Sequence, residues 1–408
     1  MKNKVLVILM LLIITVINII NLQNYESTLV YGLGRAMLLF FMITFMVSIL
    51  NIKLLYRTPL IVSIVTIFGI FSISTTFVNM EVFDEIIEVI LSPLIDLTYW
   101  VSAFLFSYII VKNQASIVKF ASTSFYLSIP VIAYFYFIVA LYFNSFGAKN
   151  YQGINAAYYL LLLLPFILMM KNNILKLLGI ATVTIALFMS TKRTGIIALA
   201  ISLIAYYILN VFSKENKRKS KLISIIAILL AGAAFTVLFI YISDQTGGYL
   251  LNRFTTIEQD EGSGRTDIWI NTINLQLDSN ALGWLIGHGY NSVANTFVGY
   301  SAHNDFLEVL YDYGIIGFSL YVVFYVQLIG IGKKMYRYNY RYLNSFAISC
   351  ILLFVLSLFS HLIIYPTYFI YLSFFWGMTI ADFENINSQK INQMKMLQYI
   401  RSKSTNQI

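Results

Sequence analysis

The stretch SIVTIFGIFSISTTF, residues 63–77, decides the fold class because it contains no charged side chain. A second uncharged run, LVILMLLIITVINII, occupies residues 6–20. Of the 408 residues, 59% are hydrophobic and 11% are charged, a composition far from that of water-soluble domains. Such segments exceed what a core of this size could bury, so the sequence excludes a soluble fold and predicts an all-α membrane protein.

The number of membrane spans can be estimated from the thickness of the bilayer core, because a helix needs about 20 apolar residues to cross it. By this measure the sequence predicts twelve transmembrane helices and one large extracytoplasmic loop. Nine helices fall in residues 1–243, the loop in 244–305, three helices in 306–381 and a cytoplasmic tail in 382–408. The predicted spans are 4–22, 29–50, 59–78, 94–111, 117–142, 154–170, 174–190, 195–212, 222–243, 306–331, 343–364 and 366–381.

The distribution of basic residues predicts the orientation, because Lys and Arg near span ends are retained on the cytoplasmic side. The chain has 27 Lys and Arg against 18 Asp and Glu, a net charge of +9. With the N-terminus inside, 21 of the 27 fall on the cytoplasmic side, which predicts an even span count and two cytoplasmic termini. The positive charge therefore indicates topology, and no nucleic-acid partner is expected. The six exceptions are Arg35, Lys149, Lys192, Arg193, Arg253 and Arg265.

Several kinds of chemistry lack a signature in the sequence. The single cysteine, Cys350, excludes a disulfide framework and a cysteine-based metal site. No closely spaced set of His and acidic residues suits zinc, and no nucleotide-binding loop is present. We therefore expect no metal and no cofactor.

The predicted loop over residues 244–305 holds most of the polar side chains. A long structured loop on a protein with many spans is commonly where function lies. The alternative is a flexible spacer, but residues 267–277 have the apolar spacing of a helix and the loop is rich in aromatic residues, which favours order. These aromatic residues are Trp269, Trp284, Tyr290, Phe297 and Tyr300.

The first candidate binding element is STKRTG, residues 190–195, a tight connection between two apolar spans. Lys192 and Arg193 place two cations side by side at the predicted outer surface. They suit an anionic ligand, and the planar guanidinium matches the oxygens of a phosphate. The alternative is that both side chains contact lipid headgroups.

The second element is GSGRTDIW, residues 262–269, within the long loop. Ser263 and Gly264 would let the backbone approach a ligand closely, and the run from Thr266 resembles a helix start, where free N–H groups favour anions. Arg265 would add a full positive charge. The alternative is an ordinary salt bridge from Arg265 to one of the neighbouring acids, which are Asp260, Glu261 and Asp267.

The third element is SAHNDFLE, residues 301–308, at the predicted mouth of the tenth span. His303 lies beside several acceptors and is the best candidate for proton transfer near neutral pH. We interpret the other two histidines, His288 and His361, as structural. Helical spacing places three acidic residues on one face, namely Asp305, Glu308 and Asp312.

Taken together, the span number, the loop before the tenth span and three motifs resemble the O-antigen ligase/polymerase family, to which Wzy-like repeat-unit polymerases belong. The motifs are SGR-x-x-x-W, a G-x-G turn and HN-x-x-L followed by a glycine seven residues later, and with them the resemblance covers about residues 187–330. The matching residues are Ser263, Gly264, Arg265, Trp269, Gly287, Gly289, His303, Asn304, Leu307 and Gly314.

The resemblance implies a metal-independent glycosyltransferase of the cytoplasmic (inner) membrane with a GT-C-like architecture. Such an enzyme transfers a glycan from undecaprenyl diphosphate to an acceptor hydroxyl on the outer membrane face, and a flippase and a chain-length regulator are expected partners. By the same resemblance, Arg193 and Arg265 hold the diphosphate, with help from Lys192, and His303 serves the acceptor hydroxyl. The remaining expected substrate-binding residues are Ser263, Gly264, Trp269, Asn304 and Asp305.

Two further questions divide the possible functions. The family contains polymerases, which extend one lipid-linked glycan with another, and ligases, which transfer the finished glycan to lipid A core or to a protein. We favour a polymerase for O-antigen, capsule or exopolysaccharide, because polymerases are the more numerous members. A polysaccharide flippase or another transporter is the alternative from a different class. It is disfavoured because the spans are nearly free of charge and the polar residues gather outside.

Overall fold

The chain is helical throughout the residues that the computed structural model describes, and no β-strand occurs among them. These residues are 2–23, 58–79, 86–145, 156–211, 232–233, 235–245, 247–256, 261–296, 300–363 and 366–405. The helices are α1 (Lys2–Gln23), α2 (Leu60–Val78), α3 (Ile86–Asn113), α4 (Ile117–Ser145), α5 (Ala156–Leu162), α6 (Leu164–Leu168), α7 (Asn173–Ser190), α8 (Arg193–Val211), α9 (Tyr249–Thr255), α10 (Glu261–Leu277), α11 (Ala281–Ile286), α12 (Ser292–Asn295), α13 (Asp305–Arg337), α14 (Leu343–Phe359) and α15 (Pro366–Thr405).

Five of the described helices are long and apolar enough to cross a membrane. They are α2, the first part of α4, α7, α8 and α13, and shorter apolar helices lie in α1, in α5 with α6, and in α14. The predicted span at 29–50 and half of the one at 222–243 lie outside the described residues. The count of twelve spans and the boundaries of the large loop therefore remain predictions.

The predicted span at 154–170 differs from the structure, in which two short helices, α5 and α6, occupy this stretch. Pro165 lies in the first turn of α6. Proline has no backbone N–H to donate and its ring clashes with the preceding turn, so it starts a helix more readily than it continues one. The last predicted span, 366–381, forms the first part of a longer helix, because α15 continues to Thr405 through the predicted tail.

Aromatic side chains from distant helices form the centre of the core. Trp100 of α3 packs against Phe369 of α15, with the ring centroids 4.8 Å apart, and Phe324 of α13 lies 5.6 Å from Trp376 of α15. Trp376 also donates a hydrogen bond of 2.7 Å to Ser349 of α14, which satisfies its buried indole N–H. These contacts join α3, α13, α14 and α15 into one packed unit.

Charged pairs mark one end of this unit. Lys112 at the end of α3 lies 2.8 Å from Glu384 of α15, and Arg341 between α13 and α14 lies 3.2 Å from Asp382. The sequence predicts all four residues to be cytoplasmic, and the structure places each pair together. The opposite end of the unit carries the α7–α8 turn, the loop helices α9–α12 and the α14–α15 connection, and we refer to it as the loop end.

Two glycines fix the loop helices on α13. Gly314 interrupts α13 with φ 61° and ψ −168°, and a β-carbon there would lie 2.5 Å from the carbonyl carbon of Leu285 and 2.6 Å from the nitrogen of Gly287. Gly287 has φ 79°, and a β-carbon added to it would clash with the backbone of Asp312. The amides of His288 and Gly289 then donate to the carbonyls of Tyr311 and Asp312. The two motif glycines therefore permit a backbone contact that no larger residue allows.

We expect Gly314→Ala to lower the melting temperature of the detergent-solubilised protein, because alanine adds both a steric clash and strain of about 1–3 kcal/mol at this positive φ. Gly330→Ala is the matched control, since Gly330 lies in the same helix and a β-carbon added to it would meet nothing within 4 Å. Alanine is the better helix former there, so stability should be unchanged or slightly raised. Equal melting temperatures for the two variants would contradict this explanation.

Candidate functional site

The α7–α8 turn brings the first predicted cations to the loop end. Thr191 ends α7 in a left-handed conformation, with φ 53°, and α8 begins at Arg193. Lys192 is half-buried, whereas Arg193 is only 8% exposed. A side chain whose function was to reach lipid headgroups would keep its charged end exposed. The burial of Arg193 therefore argues against that alternative.

Arg265 reaches this turn from the long loop. Its Nη1 donates a hydrogen bond of 3.2 Å to the hydroxyl of Thr194, which donates in turn to the carbonyl of Phe359 at 3.2 Å. One hydroxyl thus links α8, α10 and α14. The helix that carries Arg265 begins at Glu261, earlier than the start predicted at Thr266, and Gly264 interrupts its first turn with φ 72°.

His303 lies in the turn that precedes α13 and has a left-handed backbone, with φ 50°. Its ring centroid is 4.4 Å from that of His361, at an interplanar angle of 34°. His361 Nδ1 is 3.1 Å from the hydroxyl of Ser301. A histidine interpreted from sequence as structural is therefore the ring partner of the predicted proton acceptor.

Burial, together with the charges around it, keeps His303 neutral. Burial lowers the pKa of His303 to about 4, and the positive charges of Arg265 and Lys192 contribute to this shift from its ordinary value of 6.5. The pKa of His361 is also lowered, by burial first and then by His303, Lys192 and Arg265. A neutral imidazole can accept a proton, so His303 is in the form that a general base requires at neutral pH.

The acidic face of α13 lies inside the protein. Asp305 is fully buried, and its carboxylate accepts hydrogen bonds from the Ser357 hydroxyl at 2.7 Å and from the Leu362 amide at 2.8 Å. Asp312 accepts from the amides of Asn291 and Ser292. These contacts favour a structural role for Asp305, and its role in substrate binding stays a prediction. Among the described residues, no group of three or more His, Cys, Asp or Glu side chains could hold a metal ion.

Trp269 and Asn304, both expected to bind substrate, contact the chain itself. Trp269 donates to the Ala302 carbonyl at 2.8 Å, and Asn304 caps α13 by accepting from the amides of Phe306 and Leu307. Ser263 belongs to α10, but its side chain lies outside the described part of the structure.

His288, in contrast, keeps the structural role that we assigned to it. Its Nε2 lies 2.8 Å from the Ser279 hydroxyl, and its ring stacks on Tyr311 at 4.5 Å. Burial lowers its pKa. These contacts fasten α11 to α13, as expected for a histidine that packs in the interior.

The candidate site therefore brings together two cations and two neutral imidazoles from four separate parts of the chain, namely Lys192, Arg265, His303 and His361. The sequence predicted the first three. Arg193 is buried beside Lys192, and its role at the site stays a prediction. His361 and Thr194 were missed, although the sequence places both at predicted outer ends of spans. The predicted topology therefore offered a way to find both residues, because side chains at the same membrane face can contact one another.

The lowered pKa of His303 predicts a specific pH dependence of kcat/KM. The value of kcat/KM for the free enzyme should stay level from neutral pH downward and decline only as the pH approaches 4, where His303 gains a proton and ceases to act as a base. Lys192→Met removes one of the charges that lower this pKa, so the acid limb should move to higher pH. The measurement is the position of that limb, which is independent of any change in overall rate. Lys334→Met, at the opposite end of α13, should leave the limb in place, and an unmoved limb in Lys192→Met would contradict the electrostatic explanation.

Comparison with known proteins finds a family match over the part of the chain that carries most of this site. Residues 177–322 match the sequence model of the family described as O-antigen ligase. The match includes Lys192, Arg193, Arg265 and His303 and ends before His361. A comparison with curated proteins gave no match. Residues 177–322 are thus similar to the O-antigen ligase family, which confirms the resemblance over this part of the chain and supports glycosyl transfer in polysaccharide ligation or polymerisation.

Proposed function

We propose that this O-antigen ligase family protein polymerises oligosaccharide repeat units carried on undecaprenyl diphosphate, at the outer face of the cytoplasmic membrane. The product would be an O-antigen, a capsule or an exopolysaccharide. The single observation that carries the proposal is the meeting of Arg265 and Lys192 with the neutral His303 at the loop end. A glycosyl donor with a diphosphate leaving group and a hydroxyl acceptor need these two kinds of group.

The charge on the leaving group explains why the site needs cations. When the bond between the anomeric carbon and the phosphate oxygen breaks, its electron pair leaves with the lipid diphosphate, which gains negative charge. Fixed cations in a partly dehydrated site stabilise that charge strongly, because they need no reorganisation at the moment of reaction. Arg265 is held in place by Thr194, so its guanidinium is already positioned.

The acceptor hydroxyl explains why the site needs an imidazole. The hydroxyl oxygen of the acceptor sugar attacks the anomeric carbon, the new glycosidic bond forms, and the hydroxyl proton passes to a ring nitrogen of His303. The energy comes from the donor itself, so this step requires neither ATP nor a metal ion. After transfer, the histidine returns its proton to water or to the departing diphosphate.

The matched family description favours a second candidate, a ligase that transfers the finished glycan to lipid A core or to a protein. Both reactions use the same donor and the same leaving group, so the cation site suits either. They differ in the acceptor, which is a lipid-linked repeat unit for a polymerase. Our preference for polymerisation rests on the greater number of polymerases in the family.

The test is turnover by the purified protein in proteoliposomes with a defined undecaprenyl diphosphate repeat unit. A polymerase yields a ladder of products on a gel, with each step one repeat unit longer. A ligase yields no ladder and forms product only when lipid A core or an acceptor protein is added. A flippase moves the lipid across the bilayer without forming a glycosidic bond, and that outcome would contradict glycosyl transfer altogether.

A further inference from the structure

We propose that Trp269 and Glu308 are positioning residues that hold His303 against its substrate by fixing the backbone on both sides of the Ala302 α-carbon. This proposal rests on the proposed function of His303 as the proton acceptor. It gives Trp269 a role other than the substrate binding that the sequence suggested. It also assigns a role to Glu308, which the reaction does not use directly.

Both polar groups of Ala302 are bound by side chains. The indole N–H of Trp269, on α10, donates to the Ala302 carbonyl at 2.8 Å. The Ala302 amide donates to Glu308 Oε2, on α13, at 2.6 Å. Ala302 is fully buried in a small apolar cluster with Val293 and Tyr311. A buried residue whose N–H and C=O are both hydrogen-bonded to side chains of separate helices has its backbone fixed on either side of its α-carbon.

The next residue shows why such fixing is needed. His303 has φ 50°, a backbone conformation that costs a non-glycine residue energy and persists only where its surroundings impose it. Asn304, on the other side, is held as the N-cap of α13, and its Nδ2 donates to the carbonyl of Leu358 of α14 at 3.3 Å. The histidine thus lies between two residues that are held in place, and the turn points its ring at His361.

The environment of Glu308 indicates that its main role is to accept one hydrogen bond. It is fully buried, and its second oxygen, Oε1, has no hydrogen-bond partner among the described residues. A buried carboxyl group with an oxygen that lacks a hydrogen-bond partner costs stability, so packing alone does not explain it. The contact that it does make is the short one to Ala302, next to His303.

The test is a double-mutant cycle on turnover. Trp269→Phe keeps an aromatic ring but removes the only donor of the indole, and Glu308→Met removes the acceptor. Each should lower kcat by about 10- to 100-fold while KM for the lipid-linked donor changes little, because the base is displaced and the cations are not. Glu308→Gln keeps one acceptor oxygen and should restore most of the rate. Trp284→Phe, in loop helix α11, is the control and should leave the rate unchanged.

The decisive comparison is made in the His303→Ala background. If Trp269 and Glu308 act through His303, their substitution should reduce the residual rate no further. If the substitutions lower the rate of the His303→Ala protein further, the proposal is overturned, because a general loss of structure would lower the rate whether or not His303 is present.

A second measurement does not depend on any enzymatic activity. Diethyl pyrocarbonate modifies neutral histidines, and mass spectrometry of the peptide that contains His303 gives the rate of its modification. Trp269→Phe and Glu308→Met should change this rate at least severalfold relative to wild type and to Trp284→Phe. An unchanged rate would overturn the positioning role, whereas an inactive wild-type protein with a changed rate would overturn only the proposed function.

Discussion

Replacement of Arg265 by alanine is expected to lower the rate of glycan transfer by about 100- to 1,000-fold, because it removes a fixed charge at the place where the diphosphate becomes more negative. The loss should appear mainly in kcat, since the charge on the leaving group grows as the bond breaks. The measurement is the initial rate of product formation from a defined lipid-linked donor at saturating concentration.

Two further variants show whether the effect belongs to this guanidinium. Arg265→Lys keeps the charge but not the planar pair of donors, and it should remain impaired if bidentate contact with phosphate matters. Arg337→Ala removes an exposed arginine at the opposite end of α13 and should retain the wild-type rate. Full activity of Arg265→Ala would contradict the diphosphate role, and full activity of Arg265→Lys would reduce that role to a simple charge effect.

Replacement of His303 by glutamine is expected to lower kcat by about 100- to 10,000-fold, the range that a positioned general base contributes. Glutamine can still form hydrogen bonds, but it does not accept a proton at the pH of the reaction. Donor binding should be largely retained, because the cations that hold the diphosphate are unchanged. Turnover gives kcat, and equilibrium binding of the lipid-linked donor gives the affinity.

His288→Gln is the matched control for that experiment. His288 also lies at the loop end, but its ring contacts Ser279 and Tyr311 within the protein. Its replacement should affect stability more than kcat. An equal loss of kcat in the two variants would contradict a specific role for His303, and a loss of donor affinity in His303→Gln would place this histidine with the diphosphate instead of the acceptor.

Much of this arrangement could be predicted from local sequence. Apolar segment length predicted several helices closely, such as 174–190 against Asn173–Ser190, because bilayer thickness constrains the length of a span. The aromatic residues of the long loop predicted an ordered segment, and residues 267–277 are helical within α10. Arg265 and Lys192 stood out because basic residues on the predicted outer side run against the insertion preference, and His303 stood out because it lies beside several acceptors.

The remaining features depend on tertiary contacts that have no local signal. Nothing in the sequence around His361 indicates that its ring faces His303, which is far away in the chain. The bond from Glu308 to Ala302 requires the turn that the structure gives to residues 301–304. Gly314 resembles one more residue of an apolar helix, and its positive φ arises only because Leu285 and Gly287 pack against it.

In the mechanism proposed for this protein, outward-facing cations assist the departure of a lipid diphosphate as a glycosidic bond forms. The most direct test measures undecaprenyl diphosphate release and glycosidic bond formation in the same reaction, with wild-type and Arg265→Ala protein and a chelator present. We predict one lipid diphosphate released for each bond formed by the wild type, and almost no release by Arg265→Ala. Bond formation without release, or equal release by the two proteins, would contradict this mechanism.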